Sequence, residues 1–362
     1  MKSLPPIEIS SINGNYFASF HTTIESLIGG VLSLDDSYIV IDQELSQKYE
    51  VLMSILPTKR YFTLESNEVN KSLENVAKIA EWMMNLGATK TSHLIGIGGG
   101  VVQDLATFVS HIYYRGINWT FVPTTLLSQA DSCIGAKCAL NLKGHKNQLG
   151  VVHTPRAVEI FTGFLDTLPF SELESGFGEI AKLAVTGKNH FMKDFIVFLS
   201  RNGFSTDGIG QIIHASLVAK KYVIDQDEYE SDLRRILNYG HSFGHALESL
   251  TGNMIIHGDA VIVGMDIINF IGWKTGITHP EFYFEMKNMM DQYFGHIKVV
   301  QKFDAGTWVN ELRHDKKMRH GKMNFAIPVT IGDIQIITME LDEKLIELVG
   351  EYIEQSNFFY SS

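Results

Sequence analysis

Two histidines four residues apart, His241 and His245 in LNYGHSFGHALESL, project from one face of a helix-prone segment and aim two imidazoles at one spot. A third, His257, follows in IIHGDAVIVGM, and a carboxylate, Glu179, sits in SGFGEIAKLA on an earlier helical run. One carboxylate and two imidazoles with an open position make a catalytic Zn²⁺ shell. A bare HxxxH also occurs as two histidines on a helix surface, and without the Glu of HExxH a zinc-protease reading lacks its general base. The glycines directly before both histidines weigh against the surface reading. Gly in a helix interior costs about 0.5–1 kcal/mol relative to Ala and marks a close approach of backbone or ligand.

A second candidate lies in LIGIGGGVVQDLATF, where Gly96, Gly98, Gly99 and Gly100 follow an apolar strand and precede a helical run. Backbone without side chains can approach a pyrophosphate closely, and the helix start offers free N–H groups. The spacing is not the GxGxxG dinucleotide fingerprint, so a tight turn with no ligand stays open at this point. Asp42 closes another apolar strand, where its carboxylate could accept from a ribose hydroxyl or cap a helix. Lys137, Lys146, Lys220, Arg234 and Lys316 stand in an acidic chain and together invite an anionic ligand, although each alone reads as a solvated surface residue.

The elements that must position these groups change in texture along the chain. Up to about residue 165, short apolar runs (Tyr38 to Asp42, Arg60 to Leu64, His93 to Ile97, Trp119 to Val122) alternate with helical periodicity, as from Val69 to Asn85. That alternation predicts a Rossmann-like parallel-sheet α/β domain over 1–168. After Pro169 long helical segments predominate: Phe170 to Thr186, Gly208 to Asp225, Gly240 to Thr251 and Asp259 to Thr275. A hairpin over Met323 to Pro328 and Ile334 to Met339, then a helix ending near Glu354, complete a mainly α-helical domain over 169–362.

A chain of 362 residues exceeds what one core usually supports, and 45% hydrophobic with 20% charged residues is ordinary globular composition. Cys133 and Cys138 are too few for a disulfide framework and wrongly spaced for a zinc ribbon or CxxC, which favours a reducing compartment. No signal-like N-terminus and no long apolar run is present, so a cytoplasmic protein without a membrane span is expected. A net charge of -11 argues against nucleic acid as the main partner.

The segments GGGVVQDLATF, YYRGINWTFVPTTLLSQADSCIGAKCALN, HKNQLG, TLPFSELESGFGEIAKLA, DEYESDLRRILNYGHSFGHALE, IIHGDAVIVGM and HDKKMRHGKMNFAIP stand in the order and at the separations of a known family. In them the chain resembles the 3-dehydroquinate synthases, within the wider group of sugar phosphate cyclases, over nearly its whole length. The resemblance implies a dehydroquinate synthase-like fold, a phosphorylated sugar acid as substrate, NAD, a divalent metal (Zn²⁺ or Co²⁺) and a homodimer. It implies that Glu179, His241 and His257 bind the metal and that His245 transfers protons. NAD would meet Asp42, Glu68, Lys71, Gly99, Gly100, Val101, Asp104, Thr124 and Thr125. Asp131, Lys137, Asn147 and Lys182 would serve the chemistry, with Lys146, Lys220, Arg234, Asn238 and Lys316 on the substrate and Arg115 reaching a phosphate across the dimer. The reaction implied is transient oxidation by NAD, loss of phosphate, return of the hydride, and ring opening followed by an intramolecular aldol closure. An arginine suits a carboxylate through its bidentate fork, which favours a heptulosonate over a neutral sugar. Three departures bear on substrate choice: GAKC stands where the family usually reads GGKT, GHKNQLGVVHTP replaces GKNMIGAFYQP, and HGD replaces HGE. Cyclases of aminated or neutral sugar phosphates, and a metal-dependent alcohol or glycerol dehydrogenase, are the alternatives.

Overall fold

The computed structural model describes residues 4–31, 36–56, 60–143, 145–187, 190–301, 303–314 and 321–359. The chain divides into two compact units, Met1–Leu173 with Gly208–Lys221, and Glu174–Asp207 with Tyr222–Ser362. The segment Gly208–Lys221 follows the boundary expected at 168/169, yet it is counted with the first unit.

The first unit is built on a seven-stranded sheet. Its strands are β1 (Ile7–Ile9), β2 (Tyr16–His21), β3 (Ser37–Asp42), β4 (Tyr61–Leu64), β5 (His93–Gly98) and β6 (Asn118–Pro123), then, after a separate hairpin of β7 (Lys137–Leu142) and β8 (His145–Val152), β9 (Ala157–Phe161). The order is β1-β2-β9-β6-β5-β3-β4. Every pairing is parallel except β1 with β2. The four expected strands are β3 to β6; β3, β5 and β6 are buried almost throughout, because strands covered on both faces keep no polar side, whereas β4 stands at the edge and exposes Thr63. Ile39, Ile41, Ile95, Ile97 and Val122 pack on Leu27, Leu45, Leu52 and Phe164. Full burial of such a side chain is worth about 1.5–3 kcal/mol. On β5, a Cβ at Gly96 would press on Ala106 and one at Gly98 would strike Val102, so the two glycines seat the helix Gly100–Ile112 directly on the strand.

Helix ends differ from periodicity where side chains cap them. The run expected from Val69 opens as a 3₁₀ turn, Glu68–Asn70, whose Asn70 N–H is held by Asn67 Oδ1 at 3.0 Å. The α-helix starts only at Leu73, after Ser72 supplies its N-cap.

The second unit is helical around one buried helix, His257–Lys274, whose residues from Ala260 to Gly272 are all buried. An all-round apolar helix of this kind belongs at the centre of a bundle. Helices His241–Leu250, Pro280–Phe294 and Glu343–Gln355 pack on it, as does the hairpin of β10 (Lys322–Thr330) and β11 (Asp333–Glu340). A carboxylate lies on this central helix: Asp266 accepts from the Tyr352 hydroxyl at 3.0 Å and faces Lys287 Nζ at 3.8 Å. Burial pushes Asp266 up to about 6 against the pull of Lys287. Among the described residues no helix is long and apolar enough to cross a membrane.

Candidate functional site

In the first unit β4 lies on one side of β3 and β5 on the other, so the order of strands reverses there. Open α/β sheets bind ligands in the crevice beyond the carboxyl ends of strands at such a point. Asp42 and Gly98 end β3 and β5. Gly99 caps the helix Gly100–Ile112 without a side chain, and the space a Cβ would take on Gly100 is open. The first-turn N–H groups around Val101 are thereby left to a ligand or solvent. Thr124 N–H donates to the Gly98 carbonyl at 3.0 Å, and a Cβ on Gly99 would meet the Thr125 methyl at 2.9 Å, so the structure brings Gly99, Gly100, Val101, Thr124 and Thr125 together. Asp42 Oδ1 instead accepts from Leu45 N–H at 2.8 Å, which makes it the N-cap of the short helix Gln43–Lys48.

Lys71 ties the helix start to the β7–β8 hairpin: its Nζ lies 2.6 Å from Asp104 Oδ2 and donates to Asn147 Oδ1 at 2.8 Å. Burial raises the Asp104 carboxyl, and Lys71 opposes the rise. Glu68 Oε1 accepts from Asn141 Nδ2 at 2.8 Å on the same hairpin. Lys137 and Lys146 are exposed on that hairpin, and Asn147 holds a left-handed φ of 54°. Asp131 lies in a π-helical turn, Ser128–Ser132, a rare form that often marks functional sites. Lys220 forms an ion pair with Asp131 and donates to its main-chain carbonyl at 2.7 Å. Arg115 is exposed in a turn of three successive positive φ values, Tyr114 at 47°, Arg115 at 61° and Gly116 at 105°, pinned by Lys90 on the Tyr114 and Gly116 carbonyls. Cys133 and Cys138 are free and buried, and burial pushes the first thiol up to about 12 and the second higher, so neither serves as a ready thiolate.

In the second unit Asp227 organises a turn by accepting from the N–H groups of Ser231, Asp232 and Arg234 and from the Ser231 hydroxyl. Burial alone would raise its carboxyl, but these bonds hold it well below the usual carboxylate range. The turn buries Arg234, whose guanidinium donates to the Glu228 carbonyl, and Asn238 Nδ2 donates to Glu230 Oε1 at 2.7 Å. Glu230 takes a φ of 63°, uncommon for a residue with a side chain. Lys316 lies outside the described residues.

The histidines and Glu179 converge. Glu179 Oε1 is 3.0 Å from His257 Nε2 and 3.3 Å from His241 Nε2, and ligand atoms of His241, His245 and His257 lie within 4.8 Å of one another. Each of the two histidines beside Glu179 turns its other nitrogen to an acceptor: His241 Nδ1 to the Tyr239 carbonyl at 3.2 Å and His257 Nδ1 to Glu248 Oε2 at 3.2 Å. That fixes Nε2 inward on both rings, the arrangement metal-binding histidines adopt. Glu179 is 2% exposed, with Lys182 Nζ against its Oε2, yet that oxygen finds no partner in hydrogen-bond geometry. Burial would raise the Glu179 carboxyl, but Lys182 and His241 hold it well below the usual range. Burial likewise disfavours charge on His257, but Glu179 and Glu248 outweigh it and lift the ring to about 10. A buried anionic oxygen facing two inward imidazole nitrogens is a donor set that fits Zn²⁺ or Co²⁺. His245, the most exposed of the three rings, stacks 5.8 Å from His257.

Glycines make this convergence possible. A Cβ on Gly178 would lie 2.5 Å from the Gly258 carbonyl, and one on Gly244 2.8 Å from the Ala260 carbonyl, so the helices carrying Glu179, His245 and His257 touch backbone to backbone. Three groups escaped the sequence reasoning, Asp227, Glu230 and Glu248. Glu248 lies seven residues beyond His241 on the same helix face, a spacing that could have disclosed it.

The family descriptions 3-dehydroquinate synthase N-terminal and 3-dehydroquinate synthase C-terminal match residues 61–175 and 176–318. The 3-dehydroquinate synthase of Dictyoglomus turgidum is 35% identical over 321 residues, 87% of this chain and 88% of that protein. The chain belongs to the 3-dehydroquinate synthase family. Solved structures extend the likeness of fold beyond this family: 2-deoxy-scyllo-inosose synthase complexed with carbaglucose-6-phosphate, NAD⁺ and Co²⁺ has a TM-score of 0.84 at 23% identity, covering 96% of this chain and 100% of that one. The 2-epi-5-epi-valiolone synthase of Streptomyces hygroscopicus subsp. jinggangensis, with NAD⁺ and Zn²⁺ bound, gives 0.82 at 22%, covering 94% of this chain and 97% of that one. Against the family's usual HGE, Asp259 stands here with a buried Oδ1 that has no partner, and burial, then the nearby Glu174, push its carboxyl up to about 8.

Proposed function

We propose that this chain is a 3-dehydroquinate synthase, converting 3-deoxy-arabino-heptulosonate 7-phosphate to 3-dehydroquinate and phosphate as a cytoplasmic homodimer. The observation that carries the reading is the 35% identity to a 3-dehydroquinate synthase along 87% of the chain. When bound, NAD would accept and return a hydride and a divalent metal would polarise the substrate hydroxyl. Gly99, Gly100, Val101, Thr124 and Thr125 would hold the nucleotide phosphates, with Asp42, Glu68, Lys71 and Asp104 around the remainder. Glu179, His241 and His257 would hold the metal through Oε1 and the two Nε2 atoms. His245 would take and return protons at a ring nitrogen, helped by Asp131, Asn147 and Lys182. Lys137, Lys146 and Lys316, with Arg115 from a second copy, would stabilise charge on the departing phosphate as preorganised cations. Lys220, Arg234 and Asn238 would meet the substrate carboxylate, Arg234 already held in place by the Asp227 turn.

A second reading, another sugar phosphate cyclase, is favoured by the three departures at GAKC, GHKNQLGVVHTP and HGD. The test is phosphate release by purified protein with NAD⁺ and a divalent metal, comparing the heptulosonate with sedoheptulose 7-phosphate while absorbance follows NADH. Release from the acid without net NADH is the expected result. Preference for the neutral sugar would move the protein to the second reading, and accumulating NADH would indicate a dehydrogenase.

A further inference from the structure

Glu248 has no place in the chemistry assigned above, yet it is buried and its carboxylate faces a proposed metal ligand. On the helix His241–Leu250 the residues His241, His245 and Glu248 fall at i, i+4 and i+7, one above another on a single face. That face meets the start of the helix His257–Lys274, where His257 Nδ1 lies 3.2 Å from Glu248 Oε2 and Nε2 lies 3.0 Å from Glu179 Oε1. His241 is oriented differently: its Nδ1 meets a neutral acceptor, the Tyr239 carbonyl. The two rings therefore have unequal supports, and only His257 has an anion behind it.

We propose that Glu248 is a positioning residue that holds the proton of His257 on Nδ1 and leaves Nε2 as the nitrogen offered to a divalent metal. Hydrogen-bonding a ligand imidazole to a carboxylate fixes both its tautomer and its ring orientation, and losing such a partner typically weakens metal affinity about 10- to 100-fold. At the helix end it is the main-chain carbonyl of Glu248 that accepts from Asn253 N–H and the Thr251 hydroxyl.

This inference rests on the reading of Glu179, His241 and His257 as metal ligands, and the experiment separates the two. Metal-stripped parent, Glu248→Ala and Glu248→Gln proteins are titrated with Zn²⁺ against a chromophoric chelator, with folding checked by metal-free thermal melts. Histidine ¹⁵N spectra of the Zn²⁺-loaded proteins report which nitrogen of His257 carries its proton. Parent protein should bind one Zn²⁺ per chain with His257 protonated on Nδ1. Glu248→Ala should bind about 10- to 100-fold more weakly and lose the fixed tautomer. Glu248→Gln, whose amide oxygen still accepts from Nδ1–H but carries no charge, should keep the tautomer and bind several-fold more weakly. Parent-like affinity in a folded Glu248→Ala overturns the proposal, and if that variant does not fold, parent-like affinity in Glu248→Gln does so. A parent that binds no Zn²⁺ overturns the metal centre itself, and this role with it.

Discussion

Arg234 is a buried cation whose main chain and guanidinium are both engaged by the turn from Asp227 to Ser231. A guanidinium fixed before substrate arrives loses little freedom on gripping a carboxylate, and a charged hydrogen bond contributes about 1.5–3 kcal/mol. Arg234→Ala should therefore lower kcat/KM for an acid substrate roughly 10- to 100-fold while changing that for a neutral analogue far less; equal losses on both would count against the carboxylate role. Ala136 illustrates another kind of residue effect. It holds a φ of 57° directly before Lys137, where a left-handed conformation penalises any Cβ by about 1–2 kcal/mol. Part of that relief is lost to the greater freedom of glycine in the unfolded chain, so Ala136→Gly should stabilise the protein by up to about 1 kcal/mol, measured by denaturant midpoint.

At the scale of elements, the decisive feature is the backbone contact between the helices Phe170–Thr186 and His257–Lys274. Gly258 has the main chain of Ser175 where a Cβ would stand, and Ser175 Oγ accepts from Gly258 N–H at 3.2 Å. Because the atoms in the way are backbone, a methyl group there can be accommodated only by moving a helix. Gly258→Ala should destabilise by about 1–3 kcal/mol and separate His257 from Glu179. Metal affinity measured by chelator competition should fall even under conditions where circular dichroism reports a folded protein. Unchanged melting temperature and unchanged affinity would contradict this account of the crossing.

For the molecule as a whole, the buried acid Asp266 ties stability to pH. Its folded value of about 6 lies above the ordinary 3.8, so the native state holds the proton more tightly than the unfolded chain does. This contribution is fully present below about 3.8 and is lost as pH rises through about 6. Asp266→Asn should accordingly be more stable than the parent at pH 8, by about 1–3 kcal/mol at most, with the advantage vanishing near pH 4. Thermal melts of both proteins across that range read the difference directly, and an advantage that grows toward acid would have the wrong sign.

Local order was legible in the chain itself. Short runs rich in apolar and β-branched residues marked β3 to β6, the glycines of LIGIGGGVV marked the strand-to-helix turn, and HxxxH put two imidazoles on one face, since each follows from side-chain type and a fixed backbone period. The strands β1, β2 and β9 were not legible, because β1 has only three residues, β2 and β9 lack the continuous apolar run of β3 and β5, and β2 and β9 pair across a long stretch of chain. Nor did spacing alone show that Asp42 caps a helix, which in this structure it does through Leu45 N–H on Oδ1. The meeting of Glu179 with a histidine 78 residues away depends on two helices crossing at glycines. Sequence by itself determined which residues could do this chemistry and on which elements they lie; tertiary structure alone decided which atoms face one another, because crossing angles and ring orientations come from packing between segments remote in the chain.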